Sequence, residues 1–288
     1  MKFNDLAILI PTRNRPEILR RTLRELRLLG QLDRPLFIYD DASTDPTAVQ
    51  NVIRDEWPSA HLIRSAKRTG QAAGRNALLR CCTCEFALFL DDDSFPEDWN
   101  QIENFMQQAA SNRQWAVATF QYRSLADGKL SIPPAAAPSE TRSFLGGASI
   151  HHVPAILSMD GFRDFLVYGN EEPELSLRLR LAGHRIFQDP SVVILHNHFE
   201  TPEENRDYRE YDFLYTRNRL LMYSMNLPLP LGLPFGLAKS ARYVLHSSRN
   251  LRTKIRGLIS GFTNTWVHRK ERLPCTWQQG IRVLRGLL

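Results

Sequence analysis

The chain has 288 residues, 43% of them hydrophobic and 24% charged, an ordinary balance for a globular protein long enough to bury a substantial core. It contains no run of about 18 apolar residues, so a transmembrane helix is not expected. The first apolar stretch is too short for a signal peptide and is followed at once by Arg13 and Arg15, which points to an intracellular protein.

Strand and helix signals alternate through the first half. "LAILI" (6–10) is a short apolar run; Pro16 then opens a helical pattern with Ile18, Leu19, Thr22, Leu23, Leu26 and Leu29 on one face, and Gly30 is a natural stop. "LFIY" (36–39) predicts a second strand, closed by "DDASTDP", in which Asp45 is a credible N-cap ahead of Pro46. A third strand over 61–65 and a helix over 71–80 follow. "EFALFL" (85–90) is apolar on both faces, as a central parallel strand should be. Next come a helix over 96–108 and a strand over 115–120. This alternation predicts an α/β fold with a mostly parallel sheet flanked by helices, whose ligands bind beyond the carboxyl ends of the strands.

The fourth strand runs straight into Asp91, Asp92 and Asp93. Three adjacent carboxylates repel one another unless a positive group sits among them, and their oxygens suit a hard divalent cation. A solvated acidic turn is the plainer alternative, but Asp40 and Asp41 close another strand at an equivalent place. Cys81, Cys82, Cys84 and Cys275 lack the spacing of a zinc site and read as reduced thiols.

Beyond an Ala- and Pro-rich loop (132–138), "GGASIHH" (146–152) predicts a strand, "PELSLRLRLAG" (173–183) a helix, and "VVILHNH" (192–198) a strand ending in two histidines. A long helix is expected over 207–226, after which Pro228, Pro230 and Pro234 break the chain. The boundary is placed there: a domain over 1–226 and a basic helical extension over 227–288. Residues 231–288 carry 11 Lys and Arg against one acid, Glu271, a net of +10, while the rest of the chain nets −4. Trp277, Ile281, Leu284 and Leu288 fall at helical spacing, with Arg282 and Arg285 toward another face. An amphipathic basic tail suits an anionic membrane surface, or else docks on the core. Nucleic acid is not expected, since no aromatic and basic recognition module is present.

In order, "AILIPTRNRPEILRRTLREL", "FIYDDASTD", "RTGQAAGRN", "ALFLDDDSFP", "FLGGASI" and "GNEEPELSLRLRLAGHRI" resemble the family 2 glycosyltransferases, whose fold is called GT-A. "VVILHNH" and "YTRNRLL" continue the resemblance, which spans about residues 6–226. It implies an inverting transfer from a nucleoside-diphosphate sugar to a saccharide or lipid-linked acceptor, with Mn²⁺ or Mg²⁺ as cofactor. Pro11, Thr12 and Arg13 would line the nucleotide pocket, and Asp41 or Asp40 would bond the base. "DDD" corresponds to the family's Asp-x-Asp signature, with Asp93 toward the metal, Asp91 toward ribose or a metal-bound water, and Asp92 between them. Glu171–Glu172 stands where the family carries a Glu-Asp pair that supplies the base; Glu172 is favoured.

His196 is a candidate metal ligand, with His198 the alternative, and His151 and His152 are expected near the acceptor. Arg75 would organise the diphosphate region. Gly146 and Gly147 would let backbone approach the sugar, and Trp99 would stack on it or pack in the core. Arg217 and Asn218 match the family without a role that can be derived. A nucleotidyltransferase would need a Gly-rich, Lys-bearing signature that "PTRNRP" lacks. A catalytically inactive scaffold at the membrane would be expected to have lost an acidic motif, and all three stand.

Overall fold

The computed structural model of the chain describes residues 5–109, 115–132, 137–197, 208–246 and 250–286. Its first block is four parallel strands, β1 (Leu6–Thr12), β2 (Leu36–Asp40), β3 (His61–Arg64) and β4 (Phe86–Leu90), linked by α1 (Pro16–Leu28), α2 (Pro46–Glu56) and α3 (Gln71–Cys81). The expected cap is present: the Asp45 carboxylate accepts from the Ala48 amide at 3.1 Å, an interaction worth about 1 kcal/mol.

Alternation along these strands explains why they are apolar throughout. Ile8, Ile10, Ile38 and Leu88 pack on one face with Leu19, Leu23 and Val52 of α1 and α2. Leu9, Phe37 and Phe89 pack on the other with Leu78 and Leu79 of α3. A strand covered by helices on both sides has no solvent face to mark with polar residues.

The sheet then turns mixed. After β5 (Ser94–Pro96), α4 (Trp99–Ala109), β6 (Trp115–Ser124) and the short β7 (Ser139–Glu140), strand β8 (Ala148–His152) inserts antiparallel between β4 and β6. Past α5 (Val153–Leu157) and α6 (Glu171–Leu181), β9 (Arg185–His196) runs parallel to β6 and pairs antiparallel with β5 and β7. The strand order is β3-β2-β1-β4-β8-β6-β9-β5. The Ser94–His196 pairing between β5 and β9 brings the end of β9 beside the triple aspartate.

Three helices complete the described chain ahead of the terminal α10 (Trp277–Leu284): α7 (Tyr208–Asn226), α8 (Leu229–His246) and α9 (Leu251–Val267). Both α8 and α9 meet α7 through small residues. A Cβ on Gly236 would lie 2.9 Å from a Leu220 methyl, and one on Gly261 would lie 2.9 Å from the Arg217 carbonyl. The expected break at Pro234 does not occur; α8 runs through it. One lost amide bond is outweighed there by the close seam that Gly232 and Gly236 make with α7. Among the described residues no helix is long and apolar enough to cross a membrane.

Candidate active site

The ends of β1, β2 and β4 open on one cavity of about 660 Å³, closed opposite by Gly146, Gly147, the start of α6 and the tyrosines of α7. Pro11, Thr12, Arg13, Asp41, Arg75, Asp91, Asp92, Asp93, Glu171, Glu172 and His196 all line it.

The three aspartates have three different surroundings. Asp92 is buried and turned into the fold: Thr12 Oγ1 donates to its Oδ2 and Arg15 Nη1 to its Oδ1, each at 2.7 Å. Burial pushes its carboxyl up to about 7 against the pull of Arg15. Asp92 lines the cavity and is at the same time a strut joining β1 to β4. Asp93 takes Arg15 Nη2 at 2.7 Å on one oxygen and His196 Nε2 at 3.0 Å on the other. Burial acts to raise its pKa, but His196 and Arg15 together bring it down to about 2. Asp91 accepts from Tyr122 Oη at 3.3 Å and lies 3.9 Å from Arg75. The mutual repulsion of the cluster is thus offset by an arginine on each side.

Asp91, Asp93 and His196 each present a ligand atom within 4.8 Å of the others. Tyr122 stacks on the His196 ring at 4.5 Å between centroids and fixes its plane. Two carboxylate oxygens and an imidazole nitrogen form a donor set that fits Mn²⁺ or Mg²⁺.

On the opposite wall α6 begins two residues before the expected helix, so Glu171 and Glu172 stand in its first turn, where acidic groups favour the helix dipole by roughly 0.3–1 kcal/mol each. Arg75, almost wholly buried, donates Nη1 to Glu172 Oε1 at 2.7 Å and lies 3.6 Å from Glu171. With its amide set to suit its neighbours, Gln71 donates to Glu171 at 3.1 Å and accepts from Arg75 at 2.8 Å. Burial, and then the charge of Glu172, push the Glu171 carboxyl up to about 8. Glu172 keeps a fifth of its side-chain surface exposed to the cavity.

The turn before α6 is strained. Val167, Gly169 and Asn170 all have positive φ, at 64°, 83° and 66°, and for β-branched Val167 this is a rare conformation. Asn218 gathers the turn, donating to the carbonyls of Leu166, Tyr168 and Gly169 at 2.7–3.0 Å. Arg217 Nη2 bonds the Phe165 and Leu166 carbonyls at 2.7 and 3.0 Å. The "YTRNRLL" motif therefore holds the segment that delivers the two glutamates.

Several expectations are corrected by position. Asp40 does not line the cavity: one oxygen accepts from the Ser43 amide at 2.9 Å and the other pairs with Arg64. Asp41 does line it, although its carboxylate already accepts from Thr69 and Gly70 amides at 2.6 and 3.0 Å. Trp99 is buried in the core under Arg34, whose guanidinium lies 4.9 Å from the ring, and it cannot reach a sugar. The helical face of α4 turns it inward. His151 sits buried among Phe89, Phe144 and Phe162, where burial lowers its pKa to about 3; His152 pairs with Glu85, and neither lines the cavity.

Gly146 and Gly147 line the cavity, and each also clears a side chain. A Cβ on Gly146 would collide with Arg75 and Glu172, and one on Gly147 with Asp91 and Tyr122. No disulfide joins the four cysteines, and burial raises the Cys82 thiol to about 11. His198, Leu288 and most of the 132–138 loop lie outside the described residues.

Arg15, Gln71, Tyr122 and the wall of Tyr168, Tyr211 and Tyr215 are site residues that carry no distinctive spacing in the sequence. For Arg15 a signal exists: a cation within five residues of the end of β1 has the acidic end of the neighbouring β4 within reach.

An open α/β sheet with an acidic cluster at its carboxyl edge and a helix-start glutamate pair across the cavity defines a glycosyltransferase of the GT-A fold. Residues 7–159 match the sequence profile of "Glycosyl transferase family 2", over half of the chain, and the chain belongs to that family. The glutamate pair and His196 lie beyond the matched segment.

The pre-mycofactocin glycosyltransferase of Mycobacterium tuberculosis is 28% identical over 214 residues, 67% of this chain and 43% of that protein. The GalNAc(5)-diNAcBac-PP-undecaprenol beta-1,3-glucosyltransferase of Campylobacter jejuni is 29% identical over 90 residues, 31% of this chain and 29% of that one. The chain thus spans less than half the length of the curated relatives it matches. Among solved structures, GalNAc-T7 with UDP, GalNAc and Mn²⁺ aligns with 99% of this chain and 57% of its own at a TM-score of 0.65 and 12% identity. Mannosyltransferase PcManGT from Pyrobaculum calidifontis, in complex with GDP-Man and Mn²⁺, aligns with 98% and 79% at 0.58 and 17%. At those identities the two establish the fold.

Proposed function

We propose that the chain transfers a sugar from a nucleoside-diphosphate donor to a hydroxyl of a saccharide or lipid-linked acceptor, with inversion, at the cytoplasmic face of a membrane. The observation that carries this reading is the line Asp91–Arg75–Glu172, which ties a cation-binding edge to a carboxylate base across one cavity. Mn²⁺ or Mg²⁺ held by Asp91, Asp93 and His196 would supply Lewis-acid stabilisation of the diphosphate as it leaves.

The chain's own groups do the rest. Glu172 accepts the proton of the acceptor hydroxyl as that oxygen bonds to the anomeric carbon and the bond from that carbon to the diphosphate oxygen breaks. Glu171, its side chain almost wholly buried, offers the acceptor less access than Glu172, which keeps a fifth of its side-chain surface exposed. Arg75 holds Glu172 in place through the 2.7 Å ion pair. Asp41 and the Pro11–Arg13 segment flank the nucleotide end of the cavity.

The test is a thermal-shift panel of UDP, dTDP, GDP and CMP, each with Mn²⁺, Mg²⁺ or EDTA, on wild type and Asp93→Asn. A metal-dependent rise with one nucleotide, lost in the variant, is expected; at a ligand concentration of about 100 Kd the stabilisation is roughly 2.7 kcal/mol. No rise with any nucleotide would overturn the reading.

A further inference from the structure

Among the described residues, fifteen large hydrophobic side chains are exposed, and ten of them fall between Leu245 and Ile281. The clustering is not an accident of a loose tail, because α9 is firmly seated. Gly257, Gly261 and Thr265 form its buried face against α7, with Thr265 Oγ1 2.8 Å from Ser224 Oγ, and Lys254 is buried over the Tyr243 ring of α8. On an exposed flank of the helix Ile255, Ile259, Phe262 and Trp266 follow one another at i, i+4, i+7 and i+11, exposed at 43, 60, 42 and 49%. That row extends over about 16 Å of helix.

Charge frames the row. Arg252 and Arg256 are exposed at its start and Arg269 and Lys270 just past its end, while α9 itself contains no acidic residue. A second copy of the chain seated on this face would set like charges against like. A surface that is apolar in depth and anionic at its rim complements it on both counts.

We infer that the outer face of α9 is the seat on an anionic lipid surface, with Ile255, Ile259, Phe262 and Trp266 entering the headgroup boundary and the four flanking cations contacting lipid phosphates. Trp266, an indole at the rim of an apolar row, suits that boundary. Since α7 carries both the α9 seam and the cavity tyrosines, α9 fixes one wall of the cavity relative to the bilayer. The assignment concerns membrane seating and is measured without sugar transfer, so it stands or falls separately from the transferase reading.

The experiment is co-sedimentation of the full chain with vesicles of equal parts phosphatidylglycerol and phosphatidylcholine, or of phosphatidylcholine alone. Wild type should partition onto the anionic vesicles, more weakly at high salt. The pair Ile259→Glu and Trp266→Glu, and separately the pair Arg252→Glu and Arg256→Glu, should each lower the partition coefficient about tenfold or more. All four positions are exposed, so melting temperatures and the nucleotide shift should stay at wild-type values. Absence of wild-type partitioning would overturn the inference, as would retention of partitioning in both pairs. So would loss with Ile281→Glu of α10 but not with the α9 pair, or a concentration-dependent dimer abolished by the α9 pair.

Discussion

Arg75 and Glu172 lie 97 residues apart in sequence and share a 2.7 Å hydrogen bond from a guanidinium with almost no contact with solvent. That arginine also faces Glu171 and Asp91, so three carboxylates depend on one cation. Arg75→Met would strip Glu172 and Asp91 of the buried cation they share. Urea unfolding should show a loss of about 3–5 kcal/mol, the cost of breaking rather than replacing a buried ionic network.

Glu172→Gln keeps size and shape while removing the base. Turnover should fall by about 10²–10⁴, with the melting temperature and the metal-dependent nucleotide shift preserved. Retention of turnover by Glu172→Gln, with loss in Glu171→Gln, would transfer the role to Glu171.

Glu171 makes stability depend on pH in a direction opposite to an ion-paired carboxylate. Its pKa rises on folding from about 4.5 to about 8, so the folded chain binds this proton more tightly than the unfolded chain does. The resulting stabilisation is complete below about pH 4.5 and is lost as pH climbs through 8. Urea unfolding of wild type and Glu171→Gln across pH 5–8 should show the variant gaining relative to wild type as pH rises, by at most about 1.4 kcal/mol per pH unit. Parallel pH curves would contradict it.

Asn218 does not line the cavity, yet its amide closes three carbonyls of the strained turn ahead of α6. Asn218→Ala should cost about 1–3 kcal/mol in stability through the orphaned carbonyls. It should also lower kcat by on the order of tenfold to a hundredfold as the glutamates lose their placement. Nucleotide affinity, read by calorimetry, should change little, because the β1 and β4 ends are untouched.

Trp99 separates packing from binding. Trp99→Ala should destabilise the chain by about 3–5 kcal/mol in denaturant while the donor KM stays at its wild-type value.

The parallel block was legible because each of its strands is a short apolar run closed by a turn and followed by a helical period. The triple aspartate was legible as a candidate site because Asp40 and Asp41 end another strand of the same parallel block in the same way. Reading fell short where the partner lies far along the chain. Asp92 and Thr12 are 80 residues apart, and nothing local marks which of three adjacent aspartates turns inward. The antiparallel insertion of β8 was hidden for a related reason: side-chain period is the same in either direction, so direction comes from pairing. Trp99 misled by proximity, since two helical positions from an acidic turn can face either way. Pro234 misled because helix propensity is a local penalty and the glycine seam against α7 is a tertiary gain.

That seam has a consequence for how the chain can be cut. Tyr211 and Tyr215 line the cavity from α7, and Tyr215 rests against Tyr243 of α8 at 4.6 Å. Behind them Asp212 accepts from Tyr243 Oη at 2.6 Å and from Asn250 at 2.9 Å. A chain trimmed after Asn226 would keep every carboxylate of the site and still bare two sides of α7, the backing of the tyrosine wall. We therefore expect the smallest unit that holds this cavity in shape to run past Asn250 at the start of α9, well beyond the segment that the family profile recognises.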